Sequence, residues 1–258
     1  TASALDNCDG PVTVPPSYTP PVDNCNRTVT VTLTAIDHCL NQSTATKTFL
    51  VNDNTAPVVT VPAAPLTMQC YDASAVASWA ATASAQDNCD GIVAVTPTWT
   101  APIDNCNRTV TVTFTAVDHC NNVGTATKTF LVNDITAPVV TVPAADLVMQ
   151  CYSASAVAAW AATASALDNC DGNVAVTPTW TAPINNCNKT VTVTFTAVDH
   201  CNNTGTATKT FLVNDNTPPV VTVPATDLTM QCYSASAVAT WAATASETDN
   251  CDGSVAVT

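Results

Sequence analysis

The chain has 258 residues and carries six Lys and Arg against 20 Asp and Glu, which gives it a formal net charge of −14 at pH 7. Such an excess of negative charge argues against nucleic acid and anionic membrane surfaces as partners, and it favours cations. No apolar run approaches the roughly 18 residues that a membrane-spanning helix needs, so we expect no membrane span.

The cysteines divide the chain into repeats, because each of the 13 belongs to a series with an interval of 81 residues. The four series are Cys8, Cys89, Cys170 and Cys251; Cys25, Cys106 and Cys187; Cys39, Cys120 and Cys201; and Cys70, Cys151 and Cys232. We therefore predict repeat domains at 55–135 and 136–216, with partial repeats at 1–54 and 217–258, and we interpret the chain as a segment of a longer one. Near-identical repeats suit a protein that supplies length, spacing or multivalency. They argue against an enzyme, because an active site is needed only once.

In chain order, the repeat at 55–135 begins with two short strands and one ambiguous segment. Prolines bound a first strand predicted over 58–61, and a second is predicted over 66–70. Residues 71–85 are rich in Ala and Ser around Trp79, which favours a short helix capped by Asp72 or Ser74. A strand is the alternative, because Trp79 could pack between two sheets.

The rest of the repeat predicts three strands separated by polar turns. A turn at 87–91 precedes a strand over 92–100. In Arg108–Val117, apolar residues alternate strictly with threonine, which predicts a strand with one buried and one solvent-facing side. After a loop, the last strand is predicted over 125–132. Many short strands with regular turns indicate an all-β fold of tandem immunoglobulin-like β-sandwiches.

The cysteines predict two disulfides in each repeat, each closed within that repeat. Cys106 and Cys120 flank a strand about 40 Å long, whereas a disulfide needs Cα atoms within about 7 Å, so these two cannot pair. If strands alternate in direction, Cys89 and Cys120 share one end of the domain, and Cys70 and Cys106 share the other. The predicted pairs are Cys89–Cys120, Cys70–Cys106, Cys170–Cys201, Cys151–Cys187 and Cys8–Cys39. So many cysteines in a small unit also indicate an oxidising compartment.

Fourteen of the 19 aspartates lie in three motifs that recur from repeat to repeat: Asp-Asn-Cys-Asp-Gly, Asp-His-Cys, and Val-Asn-Asp at the repeat boundary. The first two motifs fall in loops at the predicted end of the domain where the preceding linker enters, so we expect linker and loops to meet. Carboxylate and amide oxygens suit Ca²⁺, which predicts one calcium site at each junction. The predicted ligands are Asn52, Asp53, Asn54, Asp87, Asp90, Asp118, Asp134, Asp168, Asp171, Asp199, Asp215, Asp249 and Asp252.

Two alternatives stay open for these motifs. Asp and Asn also cap tight turns without any metal. His38, His119 and His200 each precede a cysteine, which raises the alternative of zinc. Structural zinc sites favour close ligand pairs such as Cys-x-x-Cys, and the chain contains none.

Four stretches of this repeat resemble the hyalin-repeat family. They are Ala-Pro-Val-Val-Thr-Val-Pro at 56–62, Asp-Asn-Cys-Asp-Gly at 87–91, Val-Thr-Val-Thr-Phe-Thr-Ala-Val-Asp-His-Cys-Asn-Asn at 110–122, and Thr-Ala-Thr-Lys-Thr-Phe-Leu-Val-Asn-Asp at 125–134. They are still more similar to the Cys-rich immunoglobulin-like repeats of bacterial surface adhesins. The resemblance implies an immunoglobulin-like sandwich in an extracellular, adhesive or structural protein.

The linker at 51–57 is similar to the cadherin junction, which carries Asp-x-Asn-Asp-Asn-x-Pro between domains. This resemblance implies that Asp87, Asp90 and Asp118 supply calcium ligands. The Glu-containing motifs of cadherins are absent here, so we expect one ion per junction rather than the full cadherin set.

We therefore predict a rod of disulfide-stapled, calcium-stiffened sandwiches, extracellular or at the cell surface, that serves as a secreted filament or an adhesin stalk. Near-identical units offer the same surface at every step, which suits self-association into filaments. The alternative is an adhesive recognition module that binds surface glycans or proteins. The basic residues, Lys128 among them, are interpreted as solvated charges at strand edges.

Overall fold

The computed structural model describes residues 2–255, in two compact units, Thr1–Asn133 and Asp134–Thr258. Strands predominate and the three helices found among the described residues are short, so the fold is all-β, as predicted. None of these helices combines the length and the apolar character needed to cross a membrane.

Unit 1 begins with two small sheets. A hairpin forms one of them, and a three-stranded antiparallel sheet forms the other, in the order β3-β4-β5. The strands are β1 (Ala4–Asp6), β2 (Gly10–Val12), β3 (Pro16–Ser17), β4 (Arg27–Ile36) and β5 (Gln42–Val51).

A complete β-sandwich follows in unit 1. Its elements are β6 (Val58–Thr60), β7 (Thr67–Met68), α1 (Ala73–Ala80), β8 (Ser84–Asp87), β9 (Gly91–Val93), β10 (Val95–Thr98), β11 (Arg108–Val117) and β12 (Val123–Val132). One sheet has the order β6-β8-β9 and the other β10-β11-β12-β7, with β7 parallel to β12. Seven strands in two sheets is the strand number of a constant-type immunoglobulin domain.

The core of this sandwich forms around Trp79 of α1. Its ring meets Phe114 and Phe130 edge-on, with centroids 6.1 and 6.0 Å away, and its Nε1 donates a hydrogen bond to the carbonyl of Ala64. The apolar residues that alternate along β11 fill the same core, with Val112 fully buried. The alternation read from the sequence therefore identifies the buried face correctly.

Unit 2 contains a second sandwich of the same kind and a further three-stranded sheet. The sandwich comprises β13 (Val139–Thr141), β14 (Val148–Met149), α2 (Ala154–Ala161), β15 (Ser165–Asp168), β16 (Gly172–Val174), β17 (Val176–Thr179), β18 (Lys189–Val198) and β19 (Thr204–Val213). Its sheets are β13-β15-β16 and β14-β19-β18-β17. The last elements are β20 (Val220–Thr222), α3 (Ala235–Ala242), β21 (Ser246–Asp249) and β22 (Gly253–Val255).

The helix predicted within 71–85 is present, and the strand alternative is wrong for Ala73–Ala80. Asp72 caps it, because its Oδ1 accepts hydrogen bonds from the backbone N–H groups of Ser74 and Ala75 at 2.8 and 3.3 Å. Ser153 and Ser234 cap the two equivalent helices. Local propensity and a capping residue are thus sufficient to predict this element.

The single strand predicted over 92–100 is two strands that belong to different sheets. β9 pairs with β8, whereas β10 pairs with β11, so the chain crosses between the sheets at Ala94. β10 lies at a sheet edge, where Pro97 costs no hydrogen bond to a second neighbour. An alternating sequence cannot reveal such a crossing, because both strands keep the same period.

Lys128 is not a solvated edge charge. Its Nζ donates to the backbone carbonyls of Pro62, Ala63 and Ala64, and Lys209 does the same for Pro143 and the two residues that follow it. The ammonium group supplies donors for carbonyls that no strand satisfies. The lysine thus holds a loop against the sheet.

Candidate metal centre at the repeat junctions

Carboxylates from a linker and from the following repeat lie together at each described junction. Asp53 follows β5, Asp87 ends β8, and one ligand atom from each lies within 4.8 Å of the other and of the Cys89 sulfur. The same grouping recurs farther along the chain. Its members are Asp134, Asp168 and Cys170, and then Asp215, Asp249 and Cys251.

Local turns hold these carboxylates in place and leave one oxygen of each aimed away from the turn. Oδ1 of Asp87 accepts hydrogen bonds from the N–H groups of Cys89 and Asp90, at 2.8 and 3.0 Å. These bonds lower the pKa of the Asp87 carboxyl, which therefore stays ionised at neutral pH. Oδ1 of Asp53 likewise accepts from the N–H of Thr55 at 3.1 Å.

The second oxygen of each carboxylate is buried and lacks a hydrogen-bond donor among the described residues. This holds for Oδ2 of Asp53, Asp87, Asp134 and Asp168. Asp53 is only 8% exposed and Asp87 only 5%. A buried acceptor without a donor is costly unless a cation or water satisfies it.

In these groups the atoms available to a metal ion are the carboxylate oxygens of the aspartates rather than the cysteine sulfur. Cys170 and Cys251 occupy the position of Cys89 and are disulfide-bonded, so neither presents a thiolate. Burial, together with the neighbouring carboxylates of Asp53 and Asp87, raises the pKa of the free Cys89 thiol and keeps it protonated. Carboxylate oxygens suit Ca²⁺, whereas structural zinc sites are built from Cys and His.

The side chains of Asp90 and Asp118 accept hydrogen bonds from loop residues and do not belong to the group of Asp53 and Asp87. Oδ2 of Asp90 accepts from the N–H of His119 at 2.6 Å, and both oxygens of Asp118 accept from Asn122 at 2.7 Å. Asp171 and Asp199 make the same contacts in the next repeat, with His200 and Asn203. These aspartates build the scaffold around the linker.

The remaining predicted ligands are placed as follows. Asn52 and Asn54 are exposed, and Asp252 is exposed as well, whereas Asp53 between the two asparagines is buried. A fourth group, which we did not predict as a site, brings together Asp6, Asp9 and Asp37. The motifs themselves mark this group, since these residues occupy the positions of Asp87, Asp90 and Asp118 one repeat earlier.

Hydrogen bonds fasten the linker to the loops on both sides of it. The N–H of Asp53 donates to the carbonyl of Asn24 in the preceding repeat at 2.8 Å. Nδ2 of Asn122 in the following repeat donates to the carbonyl of Asp53 at 3.3 Å. Asp53 therefore lies between the loop of Cys25 and the loop of Cys120.

Two disulfides connect different repeats, and together with the free cysteines they correct three predicted pairs. Cys25 bonds to Cys120, with Cα atoms 5.1 Å apart, and Cys151 bonds to Cys251, with Cα atoms 5.0 Å apart. Cys70, Cys106, Cys170 and Cys201 are also disulfide-bonded, and five cysteines are free: Cys8, Cys39, Cys89, Cys187 and Cys232.

The predicted pairs Cys89–Cys120, Cys151–Cys187 and Cys8–Cys39 are therefore wrong. The prediction assumed that the loops of one repeat face each other, whereas Cys120 faces the loop of Cys25 in the preceding repeat. The Cys25 loop instead faces the following repeat, because the linker residue Asp53 draws the two loops together.

The chain is similar to hyalin of Strongylocentrotus purpuratus, with 34% identity over 219 residues, which is 79% of this chain and 18% of that protein. It thus spans less than a fifth of the length of the relative that it matches. No family model matches the chain. The disulfides and this similarity indicate an extracellular or secreted protein with hyalin-repeat-like domains.

Proposed function

We propose that this chain is part of an extracellular structural protein, a rod whose repeat junctions are stabilised by Ca²⁺ and which serves as a secreted filament or an adhesin stalk. The observation that carries the proposal is the buried pair of Asp53 and Asp87, whose Oδ2 atoms lack a donor among the described residues. Ca²⁺ bound between them would join the linker to the following repeat.

A second observation supports a mechanical role. The bond between Cys25 and Cys120 crosses the same junction, and Asp53 is hydrogen-bonded to loops on both sides. Ion, disulfide and linker would then restrict the angle between neighbouring repeats. A protein that supplies length benefits from such stiffness, whereas an enzyme does not require it.

The test is calcium titration of the whole chain by calorimetry, together with small-angle scattering in Ca²⁺ and in EDTA. We expect binding, and a radius of gyration that changes on chelation. At a free Ca²⁺ concentration of 100 times the Kd, each site would stabilise the fold by about 2.7 kcal/mol. Identical scattering and unfolding in Ca²⁺ and EDTA would contradict the proposal.

Matched variants make the test specific to the site. Asp87→Asn keeps an oxygen for the turn but removes the charge, and Asp168→Asn does the same in the next repeat. Both changes together should abolish binding at two junctions. Asp227→Asn removes an equal charge from an exposed position outside the metal groups and should leave binding intact.

A second candidate function is adhesion through repeated loop tips. Val22, Ile103 and Ile184 occupy the same position in successive repeats and are 90%, 88% and 93% exposed. Isolated apolar tips of this kind would offer weak, multivalent contacts to a protein surface. Replacing all three by Ser should abolish retention on immobilised extracellular-matrix proteins if adhesion is the function, and should leave retention unchanged if it is not.

A further inference from the structure

The loop before each long alternating strand contains the motif Asn-x-Thr. This pattern marks an asparagine that can accept an N-linked glycan in a secreted protein. The three asparagines are Asn26, Asn107 and Asn188, and they stand directly before β4, β11 and β18. Neither the calcium site nor the disulfides use these residues, so the motif calls for an explanation of its own.

The residues around the motif vary while its Asn and Thr stay. Asp104 and Arg108 of one repeat are Asn185 and Lys189 in the next. The guanidinium group of Arg108 forms a two-point ion pair with Asp104, at 2.7 and 2.6 Å. Asn185 offers no such charge to Lys189. The motif is therefore present with and without the ion pair that accompanies it.

The acceptor side chain is exposed to solvent in all three loops. No hydrogen bond within 2–255 involves the side-chain amide of Asn26, Asn107 or Asn188. The backbone of each has a positive φ, 54° at Asn107, which asparagine adopts more readily than most residues. The threonines of the motif are exposed as well: Thr28, Thr109 and Thr190. Both groups that define the motif are thus accessible.

A second asparagine of the same loop has a structural task. Oδ1 of Asn105 accepts a hydrogen bond from the N–H of Tyr71 at 2.8 Å, and Asn186 does the same for Tyr152 at 2.9 Å. Asn105 is half-buried, whereas Asn107 two residues later is exposed. The loop therefore uses one asparagine for its own fold and leaves the other to solvent.

A shallow hollow lies beside the motif in each complete sandwich. In one sandwich Ile103 lines it together with Arg108 and Thr109 of the motif. In the other it is lined by the equivalent residues, Ile184, Lys189 and Thr190. Ile103 is 88% exposed and Ile184 is 93% exposed. Covering such an apolar side chain removes its area from water, which is favourable.

We propose that Asn26, Asn107 and Asn188 carry N-linked glycans, and that the first sugar at Asn107 and at Asn188 lies over the hollow beside it. The apolar face of the sugar ring then covers Ile103 or Ile184, while its hydroxyl groups stay in water. A glycan in this place blocks adhesion through the same isoleucine, so the two uses of Ile103 are alternatives. The inference does not depend on calcium binding.

The modification is a group transfer in which nothing is oxidised or reduced. The donor is an oligosaccharide joined through pyrophosphate to a membrane lipid, and the enzyme is an oligosaccharyltransferase. Nδ2 of Asn107 forms a bond to the anomeric carbon of the first sugar while the bond from that carbon to the phosphate oxygen breaks. The lipid pyrophosphate leaves, and the amide nitrogen releases one proton.

Two further motifs of this type occur in one repeat only and are not part of the proposal. Nδ2 of Asn41 donates to Oδ2 of Asp37 at 2.7 Å, so a glycan there would disturb a contact within its own loop. The motif at Asn202 depends on Thr204, which is Val123 in the preceding repeat. Only the loop before the long strand carries the motif in every repeat.

The first experiment maps intact glycopeptides of the native protein by mass spectrometry. We expect sugar mass on Asn26, Asn107 and Asn188. Asn105 is the internal control, because it lies in the same loop but begins no motif, and it should carry no sugar. Peptides that contain the three asparagines at their unmodified mass would overturn the proposal.

Variants secreted from a eukaryotic host test whether the motif is what directs the modification. Thr109→Val should remove one glycan from the chain, and Asn107→Gln should remove the same one. Thr109→Ser keeps the hydroxyl group and should keep the glycan. The same glycan mass in Thr109→Val as in the unchanged protein would refute the site at Asn107.

A trimmed glycan tests the place of the first sugar. Endoglycosidase H leaves one sugar on each modified asparagine, whereas the double variant Asn107→Gln, Asn188→Gln carries none at these two positions. We expect the trimmed protein to bind less of a fluorescent hydrophobic dye than the double variant. Adding Ile103→Ser and Ile184→Ser to both proteins should remove the difference. Equal dye binding before these additions would contradict the placement over the hollow.

Discussion

Gly124 stands where the linker passes closest to the sandwich. A Cβ atom at this position would lie 1.9 Å from the carbonyl oxygen of Pro57, and at Gly205 it would lie equally close to that of Pro138. Because this oxygen belongs to the backbone, it cannot move aside as the end of a flexible side chain could. The glycine therefore permits the linker to approach β12, and with it the carboxylate of Asp53.

Gly124→Ala should consequently destabilise the junction. Overpacking of this kind costs about 1–3 kcal/mol, and we expect a lower unfolding temperature together with faster protease cleavage of the linker. Ser43→Ala is the matched control, because Ser43 holds the same repeat position and is exposed; it should change stability by less than about 0.5 kcal/mol. Equal unfolding temperatures and equal cleavage rates in the two variants would show that the close approach of Pro57 to Gly124 does not contribute to stability.

The candidate site was predictable residue by residue only in part. The motif spacing correctly brings Asp53 to Asp87. The spacing does not distinguish these two aspartates from Asp118. Both oxygens of Asp118 already accept hydrogen bonds from Asn122 in the same loop. Which carboxylate keeps a free oxygen depends on local hydrogen bonds, and repeat spacing carries no information about them.

Helices and strands could be predicted from the sequence where residues close to one another in the chain determine them. The alternation in β11 and the Asp72 cap of α1 both depend on neighbouring residues, and both are found. The crossing between sheets at Ala94 and the loop contacts of Lys128 depend on distant strands, so the sequence pattern does not contain them.

At the scale of the element, the helix matters because it supplies the centre of the core. Trp79→Ala should cost about 3–5 kcal/mol, since it removes both ring contacts and leaves a cavity beside Phe114 and Phe130. Trp241→Ala on α3, where no residue is buried, should cost much less. Chemical denaturation of each variant measures both values, and a loss as large for Trp241 as for Trp79 would contradict this account.

At the scale of the whole molecule, three predicted cysteine pairs are wrong because two disulfides join one repeat to the next. Distances along strands correctly exclude Cys106–Cys120, but they cannot say whether a loop faces its own repeat or the next. That choice depends on the linker, which is bound by Asn24 on one side and by Asn122 on the other. In a tandem array the neighbour is always available as a partner, so a prediction made for one repeat alone is incomplete.

The bond between Cys25 and Cys120 should therefore hold repeats to each other rather than hold one repeat together. Replacing both cysteines by Ser opens a loop of 95 residues, for which the chain-entropy model gives a loss of about 4–5 kcal/mol. Because the bond lies beside the linker and outside the core around Trp79, we expect the loss to appear as rapid proteolysis within 52–56 while the circular dichroism of the strands persists. Cys8→Ser removes a free, exposed thiol and should change neither measurement. Global unfolding of the double variant, with no selective cleavage of the linker, would mean that the disulfide stabilises the domain itself, and the view of these bonds as ties between repeats would then have to be abandoned.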